Sequence, residues 1–193
     1  MPCDFNIKPY DKAGYVFIAG TPRCGTQYIA DAFQAIDIDI QHEAFGEQGI
    51  SAFYIVPYLG ERKEGIISQQ TREPLRVLSS MQTILPATWN IVFNQTGIHP
   101  EQKGLTHAIM RLYLRLNSHI EKYHHLRYKI EDIDEVWSQL LSIIGLPDQS
   151  LPDIPRDIHT RKGKFQPLSW AELEFRDAEL TKYVCEMGHE YGY

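Results

Sequence analysis

Short apolar runs alternate along this chain with stretches in which apolar residues recur every three or four positions, the pattern of strands interleaved with helices. Tyr15-Val16-Phe17-Ile18-Ala19 reads as a buried strand ending at Gly20, and from Thr26 the residues Tyr28, Ile29, Ala32 and Phe33 take up helical spacing. Ile36-Asp37-Ile38-Asp39-Ile40 alternates strictly, which predicts a half-exposed second strand, with Gln41 to Gly49 a loop at its carboxyl end. Ile50 to Leu59 is apolar and aromatic with Pro57 inside, so a short or broken helical turn covering the ligand edge is expected there. Gly65 to Thr71 predicts a third strand, and Pro74 suits the first turn of the helix that follows through Met81. His107 to Tyr123 places Ile109, Leu112, Tyr113, Leu116 and Ile120 on one stripe, the mark of an amphipathic helix. Leu126 to Ile130 is a fourth strand, and Asp134 to Ile144 is a helix stopped by Gly145 before Pro147. After a proline-rich loop from Pro147 to Pro167, Ser169 and Glu172 have capping-box spacing and open a terminal helix to about Cys185. Ile84 to Thr106, broken by Pro86, Gly97, Pro100 and Gly104, gives no periodic element. The sum is an α/β fold with a mostly parallel central sheet covered on both faces.

Bulk properties narrow this picture. The 193 residues, 43% hydrophobic, suit one domain spanning 1–193. A net charge of −6 argues against nucleic acid as partner, so any anion site must be local. No apolar run approaches the roughly 20 residues that span a bilayer, and Met1-Pro2-Cys3-Asp4-Phe5 lacks the features of a secretory signal, so a cytoplasmic protein is expected. Cys3, Cys24 and Cys185 show neither disulfide nor zinc spacing, and the histidines outside the loops near the site read as surface or structural residues; no metal site is expected. For Cys24, a small loop residue is the favoured reading over a reactive thiol.

The candidate chemistry lies where the first strand ends. Gly20-Thr21-Pro22-Arg23-Cys24-Gly25-Thr26 keeps the G-x-x-x-x-G spacing of a nucleotide triphosphatase loop, but Thr26 stands where the Walker lysine belongs. The cation is Arg23, inside the loop, and an arginine fork without an evident magnesium partner fits an anion better than a metal-bound triphosphate. The loop resembles the 5′-phosphosulfate loop of the sulfotransferase family, matching it at Thr21, Pro22, Arg23, Gly25 and Thr26. That resemblance implies a P-loop-like α/β/α fold and 3′-phosphoadenosine 5′-phosphosulfate as donor, held by Thr21 to Gln27 with Cys24 among them.

Further matches follow in order. Arg72-x-Pro74 with Ser80 resembles the family's 3′-phosphate motif, and Arg161-Lys162-Gly163 its late segment over the nucleotide. His124 to Ile133 resembles the strand that carries an adenine-stacking aromatic; Ile130 stands at that place, with Tyr128 and Trp170 as substitutes, although both suit core packing. By the same resemblance Glu43 is the first choice as base and His42 the second, with Glu47 close behind, and Arg23 stabilises the transferring group electrostatically. The acceptor is a hydroxyl or amine on a small molecule, glycan or lipid, which the sequence leaves open along with oligomeric state. Two other readings stand beside this one: a P-loop kinase or NTPase, and a catalytically silent nucleotide-binding module.

Overall fold

A computed structural model describes residues 14–61, 64–155 and 165–193. Five parallel strands form one sheet: β1 (Val16–Gly20), β2 (Ile40–His42), β3 (Gly49–Ala52), β4 (Ile66–Thr71) and β5 (Leu126–Lys129), in the order β2-β3-β1-β4-β5. Strand β1 sits in the centre, with Val16 opposite Gly49 on one side and Ile66 on the other. Its side chains are buried on both faces, which explains its unbroken apolar run. Val16 and Ile18 join Ile29, Phe33, Trp137 and Leu141 in one core, while Tyr15, Phe17 and Ala19 join Leu78, Leu112, Tyr113 and Val184 in the other. The helices are α1 (Thr26–Gln34), α2 (Pro74–Met81), α3 (Pro86–Thr96), α4 (Pro100–Lys103), α5 (Leu105–Ile120), α6 (Ile133–Ile143), α7 (Trp170–Arg176) and α8 (Ala178–Glu190). With α1 and α6 on one face and α2, α5 and α8 on the other, the expected three-layer α/β arrangement is present.

The second strand lies later than its alternation suggests. Ile36 and Asp37 close the end of α1, with their amides bonded to Phe33 O and Gln34 O, and Asp37 is left-handed at φ 61°. Only Ile40–His42 pairs with a neighbour, and the chain returns through residues 43–48 to lay Gly49–Ala52 beside it in parallel. So short a return works because β2 advances only about 10 Å. The predicted helical turn at Ile50–Leu59 is therefore a strand followed by a 3₁₀ helix, Val56–Glu61. The terminal helix is two, broken at extended Asp177, whose carboxylate caps the Leu180 amide. No helix among the described residues is long and apolar enough to cross a membrane.

Candidate active site

The carboxyl ends of β1, β2 and β4 bring the loop at residues 20–26, the His42-Glu43 pair and Arg72 to one edge of the sheet. The loop is tight at both glycines. A Cβ on Gly20 would fall 2.4 Å from Cys24 Sγ and 2.7 Å from the Gln70 carbonyl oxygen, so the strand exit tolerates only glycine. Gly25 takes φ 102° as the N-cap of α1, and Arg23 is also left-handed at φ 73°. A left-handed non-glycine residue costs roughly 1–2 kcal/mol and persists where its surroundings enforce it. Here three long-range bonds do so. Gln70 Nε2 donates to Cys24 O at 2.8 Å, Arg72 Nη1 donates to Arg23 O at 3.2 Å, and Arg23 Nη2 donates to Thr83 Oγ1 at 3.2 Å. Helix α1 has no side-chain cap and no acidic residue in its first turn, so its leading amides and the positive end of its dipole meet the loop.

Ser51 of β3 ties the other side together. Fully buried, it donates to Thr26 O at 2.8 Å, and its own carbonyl accepts the Glu43 amide at 3.1 Å. His42 Nε2 and Thr26 Oγ1 lie 3.1 Å apart, and Glu43 Oε1 is 3.9 Å from the same nitrogen. The Glu43 side chain is 50% exposed against 23% for His42, so the carboxylate reaches outward while the imidazole is clasped to the loop. Burial first, and the Glu43 charge second, push the Tyr54 phenol well above its ordinary pKa, which places that carboxylate near Tyr54. Glu47 belongs to the opposite end of β3, where its amide donates to Asp39 Oδ2.

Arg72 and Ser80 converge on Arg23 from two directions. Arg72 grips the Arg23 carbonyl, whereas the Ser80 carbonyl accepts from Thr83 Oγ1 at 2.8 Å, the hydroxyl that meets the Arg23 guanidinium. The neighbouring Ser79 hydroxyl is spent differently, accepting from Leu168 N at 2.8 Å. Glu73 caps the amino end of α2 through Leu75 and Arg76, so that terminus is already occupied by a carboxylate. Arg161, Lys162 and Gly163 lie outside the described residues; beyond them, Gln166 O and Leu168 N bond Gln82 and Ser79, on either side of Ser80.

A solved structure shares this architecture. The crystal structure of a sulfotransferase from Alicyclobacillus acidocaldarius superposes with a TM-score of 0.53, covering 92% of this chain and 96% of that one at 12% identity. The chain shares the α/β fold of that protein. No family model matches the chain, and no curated protein matches it.

Within this fold, the side chains that shape the loop include several that motif reading passes over. Thr83, Ser51 and Gln70 act by position on other elements, and only Ser51, in the Gly49-Ile50-Ser51-Ala52-Phe53 stretch, left a trace in the sequence. Tyr128, one of the adenine candidates, is instead buried with its hydroxyl donating to Gln70 Oε1 at 2.7 Å, behind the loop. Trp170 packs partly buried against the larger core. Ile130 lies on the loop itself, 3.1 Å from where a Gly25 Cβ would stand.

Cys24 is part of the core beneath the loop, fully buried, and burial pushes its thiol up to about 12. Its folded pKa exceeds the unfolded value, so the native state holds the proton longer. Stability is unaffected below the unfolded thiol's pKa near 9 and falls as pH rises from there toward 12, by about 1.4 kcal/mol per pH unit. The expected result is that Cys24→Ala flattens the loss of unfolding free energy between pH 9 and 10.5, and that native Cys24 resists iodoacetamide at pH 8 until denaturant is added. Rapid native alkylation would overturn the buried placement.

Proposed function

We propose that this protein is a sulfotransferase that moves a sulfuryl group from 3′-phosphoadenosine 5′-phosphosulfate to a hydroxyl or amine acceptor. The observation that carries this reading is the bond from Arg72 to the Arg23 carbonyl, which puts a second guanidinium beside the loop rather than a lysine within it. Two arginines suit a ligand with two separate anionic groups. The donor set fits such a group: uncapped amides at the start of α1, no carboxylate in that first turn, and two forked cations. Residues 21–27 with Arg23 would hold the phosphosulfate, and Arg72 with Ser80 the 3′-phosphate, joined by Arg161, Lys162 and Gly163.

The donor supplies an activated sulfuryl group. The chain supplies position, charge and a proton acceptor. Glu43 takes the proton of the attacking hydroxyl or amine, while His42, anchored through Thr26, keeps the pair facing the loop. Arg23, oriented by Thr83, meets the negative charge that gathers on the leaving phosphate oxygen. Because a guanidinium keeps its proton, this contribution is electrostatic.

The test is thermal. At about 100 times its Kd, 3′-phosphoadenosine 5′-phosphate should stabilise the native state by about 2.7 kcal/mol, or roughly 5–10 °C in Tm at this chain length. ATP with magnesium should give a smaller shift. Equal shifts, or a larger one with ATP, reject the proposal.

A further inference from the structure

Helix α5 separates the site from a second feature. Its inner face carries Tyr113, Leu116, Asn117 and Ile120, all buried, and Asn117 Oδ1 accepts from Gln69 Nε2 of β4 at 3.3 Å. On the opposite side, one line of the 3.6-residue period holds Arg111, Arg115, Ser118 and Lys122, with His119 beside it. These residues line a cavity of about 410 Å³ bordered by Thr96 at the end of α3, by Ile98 just after it, and by Leu180 of α8. Arg111, Arg115, Ser118 and Lys122 are exposed.

Three properties set this stripe apart from an ordinary solvated helix face. The first is charge: in a chain with 25 acidic and 19 basic residues, the lining has three cations and a histidine and no carboxylate. Glu121, the nearest acid in sequence, is turned away to Arg127 Nη2 at 3.2 Å and the Tyr191 hydroxyl at 2.9 Å. The second is pairing. Arg111, Arg115 and Lys122 form no ion pair among the described residues, and His119 Nε2 is buried with no hydrogen-bond partner there. The third is shape, since the cations border a concavity with apolar walls of Ile98, Leu114 and Leu180. Favourable placement of cations near a helix carboxyl end accounts for Lys122 and His119 but not for Arg111, in the middle of α5. Burial, then the charges of Lys122 and Arg115, lower the His119 pKa, as expected where positive charge is crowded without compensation.

We infer that this cavity is a second anion site, separate from the loop at residues 20–26, which takes a small organic molecule bearing two or more phosphate or sulfate groups. The cations extend about 16 Å along the helix, so two anionic groups on one molecule can each meet a guanidinium or ammonium while the intervening carbon skeleton lies on the apolar walls. A membrane surface is a poorer match because the cations border a concavity.

Calorimetric titration of the whole protein at low ionic strength with inorganic tripolyphosphate and with sucrose octasulfate tests this. Arg111→Gln/Arg115→Gln/Lys122→Gln, confined to exposed positions, should leave the Tm of the ligand-free protein unchanged and weaken one binding event about tenfold or more. Saturating 3′-phosphoadenosine 5′-phosphate should leave that event in place. The inference is overturned if the wild type binds neither polyanion, if the triple variant binds as the wild type does, or if the nucleotide abolishes the stripe-dependent event. Failure of the sulfotransferase reading would appear separately, as absence of the nucleotide Tm shift.

Discussion

Glu43→Gln is expected to lower turnover about 10²–10⁴-fold while leaving affinity for 3′-phosphoadenosine 5′-phosphate within about twofold, because a positioned base acts on the acceptor's proton and not on nucleotide binding. The measurement is nucleotide release with the best acceptor from a panel of hydroxyl and amine compounds, beside a thermal titration with the nucleotide. Glutamine preserves shape and keeps the left-handed φ of 53° no worse than glutamate does, so folding is a minor concern. His42→Asn provides the contrast. With Nε2 at 3.1 Å from the Thr26 hydroxyl, His42 is expected to position the pair, so its loss should lower turnover less than Glu43→Gln does. Unchanged turnover in Glu43→Gln, with nucleotide binding intact, would remove Glu43 from the mechanism.

Arg23→Gln is the second large effect. Removing a donor aimed at developing charge costs about 10²–10³ in kcat, or 2.7–4 kcal/mol. The loop itself should survive, since Gln70 and Arg72 still hold the carbonyls of Cys24 and Arg23. Arg23→Lys should recover only part of the rate, as an ammonium cannot both donate to Thr83 and fork toward a second oxygen in the same plane. A fall in affinity with kcat preserved would place Arg23 in ground-state binding alone.

The placement of the loop and of Arg72 was legible because it depends on local spacing: glycines bracketing a cation, and an arginine at a strand end before proline. Elements set by tertiary pairing were not. The alternation from Ile36 to Ile40 obeys strand period, yet most of it closes a helix, because the return through residues 43–48 fixes where β2 meets β3. In the middle segment, the residues that look like breakers are punctuation between short helices. Pro86 and Pro100 open α3 and α4, while Gly97 and Gly104 end them in positive φ. Helix α3 also shows no clean stripe, with Trp89 and Val92 buried but Ile91 and Phe93 exposed. The adjacency of His42 and Glu43 is plain in the sequence; the Ser51 carbonyl that holds the Glu43 amide and the Thr83 hydroxyl that meets Arg23 come from other elements, and of these two residues only Ser51 left a trace in the sequence.

The loop between β1 and α1 reads as a local motif, yet its backbone is gripped from 46 and 49 residues away by Gln70 and Arg72, and its Arg23 side chain is held from 60 residues away by Thr83. Its closure entropy is therefore settled only when β1 and β4 have paired across the centre of the sheet. An excised strand–loop–helix fragment would carry every matching residue and lack the clamp. Closure of the loop thus serves as a late clock in refolding, expected with the central parallel pairing rather than with the first helices.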